Sequence, residues 1–252
     1  MRPPELDRDW PKGSPTFATT HWSVVLTAGP DAPEAAAALE ELCKTYWYPL
    51  YAYVRRKGYD AHNAQDLTQE FFARLLEDNS LRSVDPSKGK FRSFLLASMN
   101  NLLAKEWRWE QAEKRGGGRA VISLDGVAAE ERYKLEPADD QSPEKIFERR
   151  WAIALLERVL ARVRAECSAA NKAELFDQLK GMLSGEKDQQ PRYQEVAARL
   201  DMTEAAVKQA ARRLRQRYGE FLRMEIAQTV SDPNNPDEID EEIRYLFRIL
   251  QT

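Results

Sequence analysis

Only two cysteines and two histidines occur in 252 residues, and that scarcity removes several kinds of protein at once. Cys43 and Cys167 stand far apart, each within helical pattern, so neither a disulfide framework nor a cysteine metal site is implied. His21 and His62 show no HExxH-type spacing, which argues against a zinc enzyme or a nucleophilic triad. No cofactor and no enzyme activity are expected. Long hydrophobic runs are missing too, so no segment is expected to span a bilayer. The opening Met1-Arg2-Pro3-Pro4-Glu5 lacks the apolar run of a signal peptide, making a reducing cytoplasm the expected compartment. Strand signals are scarce. A net charge of -3 does not announce a nucleic-acid binder, but the charge is uneven: cations gather at 208–217 and acids in the last twenty residues.

What is present is helical period. Residues 1–15 are polar and proline-rich and read as disordered, and Thr20 can cap a short helix to Leu26. Helices are expected over Pro33 to Lys57, despite Pro49, then Asn63 to Leu76 and Phe91 to Lys114. The stretch from Gly116-Gly117-Gly118 to Pro143 shows no period and reads as a linker. Ser142-Pro143-Glu144 opens the next helix with a cap, a proline at the first position and an acid behind it. Another follows over Lys172–Leu183. The fold class is therefore all-α: two helical domains on a flexible linker, with an N-terminal helix and a C-terminal helical tail. The expected divisions are 1–33, 34–115, linker 116–143, 144–230 and tail 231–252.

The second domain ends in a helix-turn-helix. Val196, Ala197 and Leu200 recur at helical spacing, Asp201-Met202-Thr203 interrupts, and Thr203 can cap a new helix with Glu204 in its first turn. On that helix Val207, Ala211 and Leu214 form an apolar stripe. Lys208, Arg212 and Arg215 form a cationic one, with Gln209 among them and Arg213 and Arg217 supplementing it. A helix with one buried side and one cationic side suits the major groove of DNA. A helical hairpin with a solvated basic face has the same pattern.

In the first domain, Leu67, Phe71 and Leu75 point to a core, while Asp66 and Glu70 stack as an acidic ledge. Further on, Asn101, Lys105 and Arg108 share a face, giving one amide for base edges and two cations for phosphates. Trp107 and Trp109 can stack on unpaired bases or serve the core. In the tail, Ile239, Ile243, Leu246 and Leu250 repeat on one side of a helix expected from Glu238 to Leu250. That helix either packs on its own domain or rests near the cations of 208–217 and restrains the free chain.

The order AQDLTQEFFARLLE, DPSKGKFRSFLLASMNNLLAKEW, a glycine-rich linker and YQEVAARLDMTEAAVKQAARRLR resembles bacterial RNA polymerase sigma factors of the extracytoplasmic-function group. The resemblance implies a factor that binds core RNA polymerase, recognises promoter DNA and helps melt the minus-ten element. It implies that Asp66, Leu67, Glu70 and Phe71 dock on polymerase. It places Lys88, Lys90, Asn101, Lys105, Trp107 and Arg108 at the minus-ten element, the loop Asp85–Lys90 cradling an extruded base. Thr203, Lys208, Gln209, Arg212, Arg213 and Arg215 go to the minus-thirty-five element, and the linker threads toward the RNA exit path. Asp201 stands where the family usually has glycine, Ala206 replaces a commonly polar residue, and Lys105 and Trp107 depart from common choices. An anti-sigma factor or a serine/threonine kinase is a candidate regulator, with Thr68 as a candidate phosphorylation site. The competing readings are a stand-alone helix-turn-helix regulator binding as a dimer, a scaffold without DNA affinity, and, most distantly, an enzyme.

Overall fold

Helical period in the sequence becomes helix wherever the chain is described. A computed structural model describes residues 33–77, 90–112, 126–134, 141–183 and 193–251, the side chains of 33–39, 41, 76–77, 107–112 and 126–127 excepted. Among them are nine α-helices, one 3-10 turn and no strand. The helices are α1 (Pro33–Arg56), α2 (Ala61–Glu77), α3 (Phe91–Ala112), α4 (Gly126–Lys134), α5 (Pro143–Ala169), α6 (Ala173–Leu179), α7 (Tyr193–Arg199), α8 (Glu204–Ala227) and α9 (Pro236–Gln251). No helix among the described residues is long and apolar enough to cross a membrane. The expected helix over Thr20–Leu26, the disordered 1–15 and the glycine run 116–118 lie outside the described residues.

Local chemistry sets the helix ends. Asp60 opens α2 by accepting from the Asn63 backbone N–H at 2.9 Å. Ser142 Oγ accepts from the Lys145 N–H at 3.3 Å with Pro143 at the first position of α5, as the sequence predicts. Asn235 caps α9 through the Asp237 N–H at 3.1 Å, with Pro236 behind it. Inside α1, Pro49 removes one backbone donor, which costs about 3 kcal/mol or more in a helix interior. The helix continues because Leu50, Tyr51, Ala52, Tyr53 and Val54 are all fully buried, so every side of it is covered there.

The described residues fall into two units, 33–155 with 226–251 and 156–225. This differs from the expected division at 143/144, for two reasons. The start of α5 is bound to α1: Tyr53 Oη donates to Glu144 at 3.2 Å, Lys57 Nζ pairs with Glu144 at 3.1 Å, and the Tyr53 and Phe147 rings meet edge to face with centres 6.4 Å apart. The tail, in turn, joins the first unit, where Ile239 and Leu246 are buried.

Within the larger unit α1 packs against α2 and α4, and α2 against α3. Helix α4 corrects the reading of 116–143 as linker throughout. Its Glu130 accepts from Tyr51 Oη at 2.5 Å and from Arg55 Nε and Nη2, each at 3.0 Å. Arg55 also lies 4.7 Å from the Tyr133 ring centre, and Arg132 lies 4.4 Å from that of Tyr48. Burial pushes the Glu130 carboxyl up, but the bonds from Tyr51 and Arg55 outweigh it and hold the group below the ordinary glutamate range.

Candidate nucleic-acid and polymerase interfaces

The smaller unit builds its outward helix from the inside. Val207, Ala211 and Leu214 are buried, as are Val196 and Ala197 of α7, so the predicted apolar stripe faces the core. The turn between α7 and α8 is a Schellman arrangement: Met202 N–H donates to Ala197 C=O at 2.9 Å across Asp201 at φ 50°. Asp201 thus adopts the left-handed backbone that glycine takes more readily, and the corner keeps its shape without glycine. Asp201→Gly is expected to raise the stability of this unit by about 0.5 kcal/mol, and Asp201→Val to lower it by about 1–2 kcal/mol. Urea midpoints of the three proteins check this; a lower midpoint for the glycine variant would show that the carboxylate itself holds the turn.

Thr203 caps α8 as expected, its Oγ1 accepting from the Ala206 N–H at 3.2 Å. Thr203, Lys208, Gln209, Arg212 and Arg215 are exposed, and Arg213 is half-buried. Lys208 pairs with Glu204 at 2.6 Å, and that bond holds the Glu204 carboxyl below its usual range. Arg217 is a correction. Its Nε donates to both Glu166 carboxylate oxygens, at 3.0 and 2.8 Å, and its Nη1 donates to Glu220 at 2.7 Å. It is an internal clasp between α5 and α8 rather than part of the outward row. Glu225 makes a second clasp, pairing with Arg162 at 2.6 Å and Arg158 at 3.2 Å.

In the larger unit the structure separates the residues assigned to polymerase docking. Asp66 is exposed and paired with His62 at 3.0 Å, and Glu70 is paired with Arg74, which also reaches Glu106 at 3.5 Å. The ledge is therefore partly neutralised by its own helix. Leu67 and Phe71 are buried in the core, so they hold the helix in place rather than touch a partner. Thr68 is corrected as a phosphorylation site: it is fully buried and its Oγ1 donates to Ala64 C=O at 2.7 Å. A kinase cannot reach that hydroxyl without opening the core.

On α3, Asn101 and Lys105 are exposed. Neighbouring Asn100 is engaged internally, accepting from Tyr53 Oη at 2.6 Å. Lys88 and the side chains of Trp107, Arg108 and Trp109 lie outside the described residues. Lys90, immediately before α3, pairs with Glu242 of the tail, and so does Arg92. Sequence reasoning missed Arg92, Glu242 and Tyr245. One signal was available: Glu242 lies three residues after Ile239 and four before Leu246, an acid on the apolar side of α9.

Residues 43–113 match the family model described as sigma-70 region 2. The chain is also similar to the ECF RNA polymerase sigma factor SigE of Mycolicibacterium smegmatis (strain ATCC 700084 / mc(2)155), at 27% identity over 223 residues, covering 88% of this chain and 75% of that relative. No solved structure matches. Residues 43–113 thus carry a sigma-70 region 2, and a capped helix-turn-helix follows it, every regular element among the described residues being helical.

Proposed function

We propose that this chain binds core RNA polymerase, recognises promoter DNA with two separate faces and helps part the duplex at the minus-ten element. The observation that carries the reading is α8: a buried Val207–Ala211–Leu214 stripe with Lys208, Gln209, Arg212 and Arg215 exposed beside it, in a chain that also holds a sigma-70 region 2. That helix reads the minus-thirty-five duplex in the major groove. Asn101, Lys105 and Lys90 serve the separated strand, together with Lys88, Trp107 and Arg108. Asp66 and Glu70 meet polymerase cations in exchange for His62 and Arg74.

Melting needs no nucleotide hydrolysis under this division of labour. Extruding a base costs a few kcal/mol, and stacking on side chains with phosphate neutralisation offsets it. The duplex reader fixes register while the other face captures what opens. Polymerase supplies the bond-making chemistry, so the chain works as a DNA-binding regulator without a catalytic centre of its own.

Reconstitution with bacterial core polymerase on a library of random promoters tests this. The expected result is comigration with core enzyme and transcripts that start at a shared promoter pattern. A chain that ignores core enzyme and grips duplex DNA as a symmetric dimer overturns the reading in favour of a stand-alone regulator.

A further inference from the structure

We propose that α9 is a latch whose Glu242 carboxylate occupies, in the free factor, a phosphate-binding site made by Lys90 and Arg92 for the backbone of the separated promoter strand. The inference rests on the minus-ten reading above and deepens it. Lys90 Nζ donates to one Glu242 carboxylate oxygen and Arg92 Nη1 to the other. Two cations thus divide the two oxygens of a single anion, which is how a phosphodiester presents its two unesterified oxygens. Both cations also sit against Tyr245 of the same helix, Lys90 at 4.9 Å and Arg92 at 4.7 Å from the ring centre, and Arg92 lies 4.5 Å from the Trp151 ring centre. The tail therefore brings both an anion and an aromatic face to this pair, the two kinds of group that a nucleotide brings.

Burial sharpens the point. The side chains of Glu242 and Arg92 are 1% and 5% exposed, whereas that of Lys90 is 36% exposed. A buried ion pair is a poor source of stability, since apolar residues of similar size often do as well or better, so stability alone accounts weakly for a carboxylate on the apolar side of α9. Lys90 is open to water at the edge, and Arg92 becomes reachable once α9 leaves. The bonds at the start of α9 are local: Glu238 accepts from Ser231 N–H at 2.9 Å, Ser231 Oγ at 2.6 Å and Asp232 N–H at 3.1 Å. Those bonds keep the turn before α9 in shape without tying it to α3. Competition is the mechanism: DNA phosphate and Glu242 want the same two cations, and each excludes the other.

Glu242→Gln keeps the size of the side chain and removes the competing charge. The probe is a fluorescein-labelled single-stranded DNA 12-mer of random sequence, titrated onto the free full-length chain. The variant is expected to bind about three- to tenfold more tightly than the parent at low salt, with the log–log salt slope steeper by about 1.4 for two added phosphate contacts on a single strand. Lys90→Ala added to Glu242→Gln takes most of that gain away. The second arm needs no variant: amide hydrogen exchange of α9 in the parent chain, alone and in the complex with core polymerase and promoter DNA, is expected to speed up in the complex. Equal binding by Glu242→Gln and the parent overturns the latch, as does α9 equally protected in both states, which would make it a permanent strut. Should Glu242→Gln fail to fold, the exchange arm decides. Should the parent chain ignore core polymerase, the function proposed above fails, while the oligonucleotide arm still decides the competition.

Discussion

Alanine at both Arg212 and Arg215 lowers promoter-specific transcription by about two orders of magnitude, each arginine accounting for about 1–3 kcal/mol of promoter binding. Both side chains are exposed on α8, clear of the buried stripe that folds the unit. The variant should therefore keep its stability, since exposed substitutions away from packing sites usually stay within about 0.5 kcal/mol. Binding to minus-thirty-five duplex should also lose salt dependence, by about 0.9 in slope for each phosphate that is no longer neutralised. Run-off transcription at several salt concentrations, beside thermal melts, checks all three statements. Unchanged transcription would remove α8 from the DNA, and a loss that tracks unfolding would make these arginines structural.

Arg217→Ala does the reverse: it costs about 2–3 kcal/mol of stability and leaves the salt slope of promoter binding unchanged. The side chains of Arg217 and Glu166 are 13% and 14% exposed, so removing the guanidinium strands a carboxylate with little access to water. The residual access is why the cost falls below that of a fully buried pair. The guanidinium also lies 4.3 Å from the Phe221 ring centre, and alanine gives up that cation–π attraction as well. Arg217→Lys should recover less than half, because an ammonium on a flexible stem cannot hold Glu166 and Glu220 at once as the planar guanidinium does through Nε and Nη1. Adding Glu166→Ala to Arg217→Ala should cost less than the sum of the single changes, since the stranded charge is gone. Denaturant melts of the four proteins measure this. A loss of salt slope in Arg217→Ala would put the residue on DNA after all.

Arg217 also shows why some of the molecule was legible in the sequence and some was not. At about 100° per residue it falls about 180° from Lys208 on α8, so the helical wheel already separates it from the outward row. Grouping cations by nearness along the chain hid that. Helix starts were readable where a side chain acts on backbone within three residues, as Ser142 and Thr203 do. Helix α4 was not, because it is held by partners 75 and 79 residues away, Arg55 and Tyr51, and no period in its own nine residues foretells them. The tail stands between these cases. Its apolar side says that α9 needs a surface, and the contacts of Glu242 and Tyr245 with Lys90 and Arg92 show which one.

The larger unit is discontinuous in the chain: 33–155 and 226–251 belong together, with 156–225 interposed. Synthesis runs from the N-terminus, so the smaller unit has all its residues before the larger one does. At about 5–20 residues per second, the nascent chain spends seconds with Lys90 and Arg92 uncovered before the ribosome delivers Glu242. Every new molecule thus passes through an uncapped interval at birth, and a message cut short just before α9 would leave its product there for life.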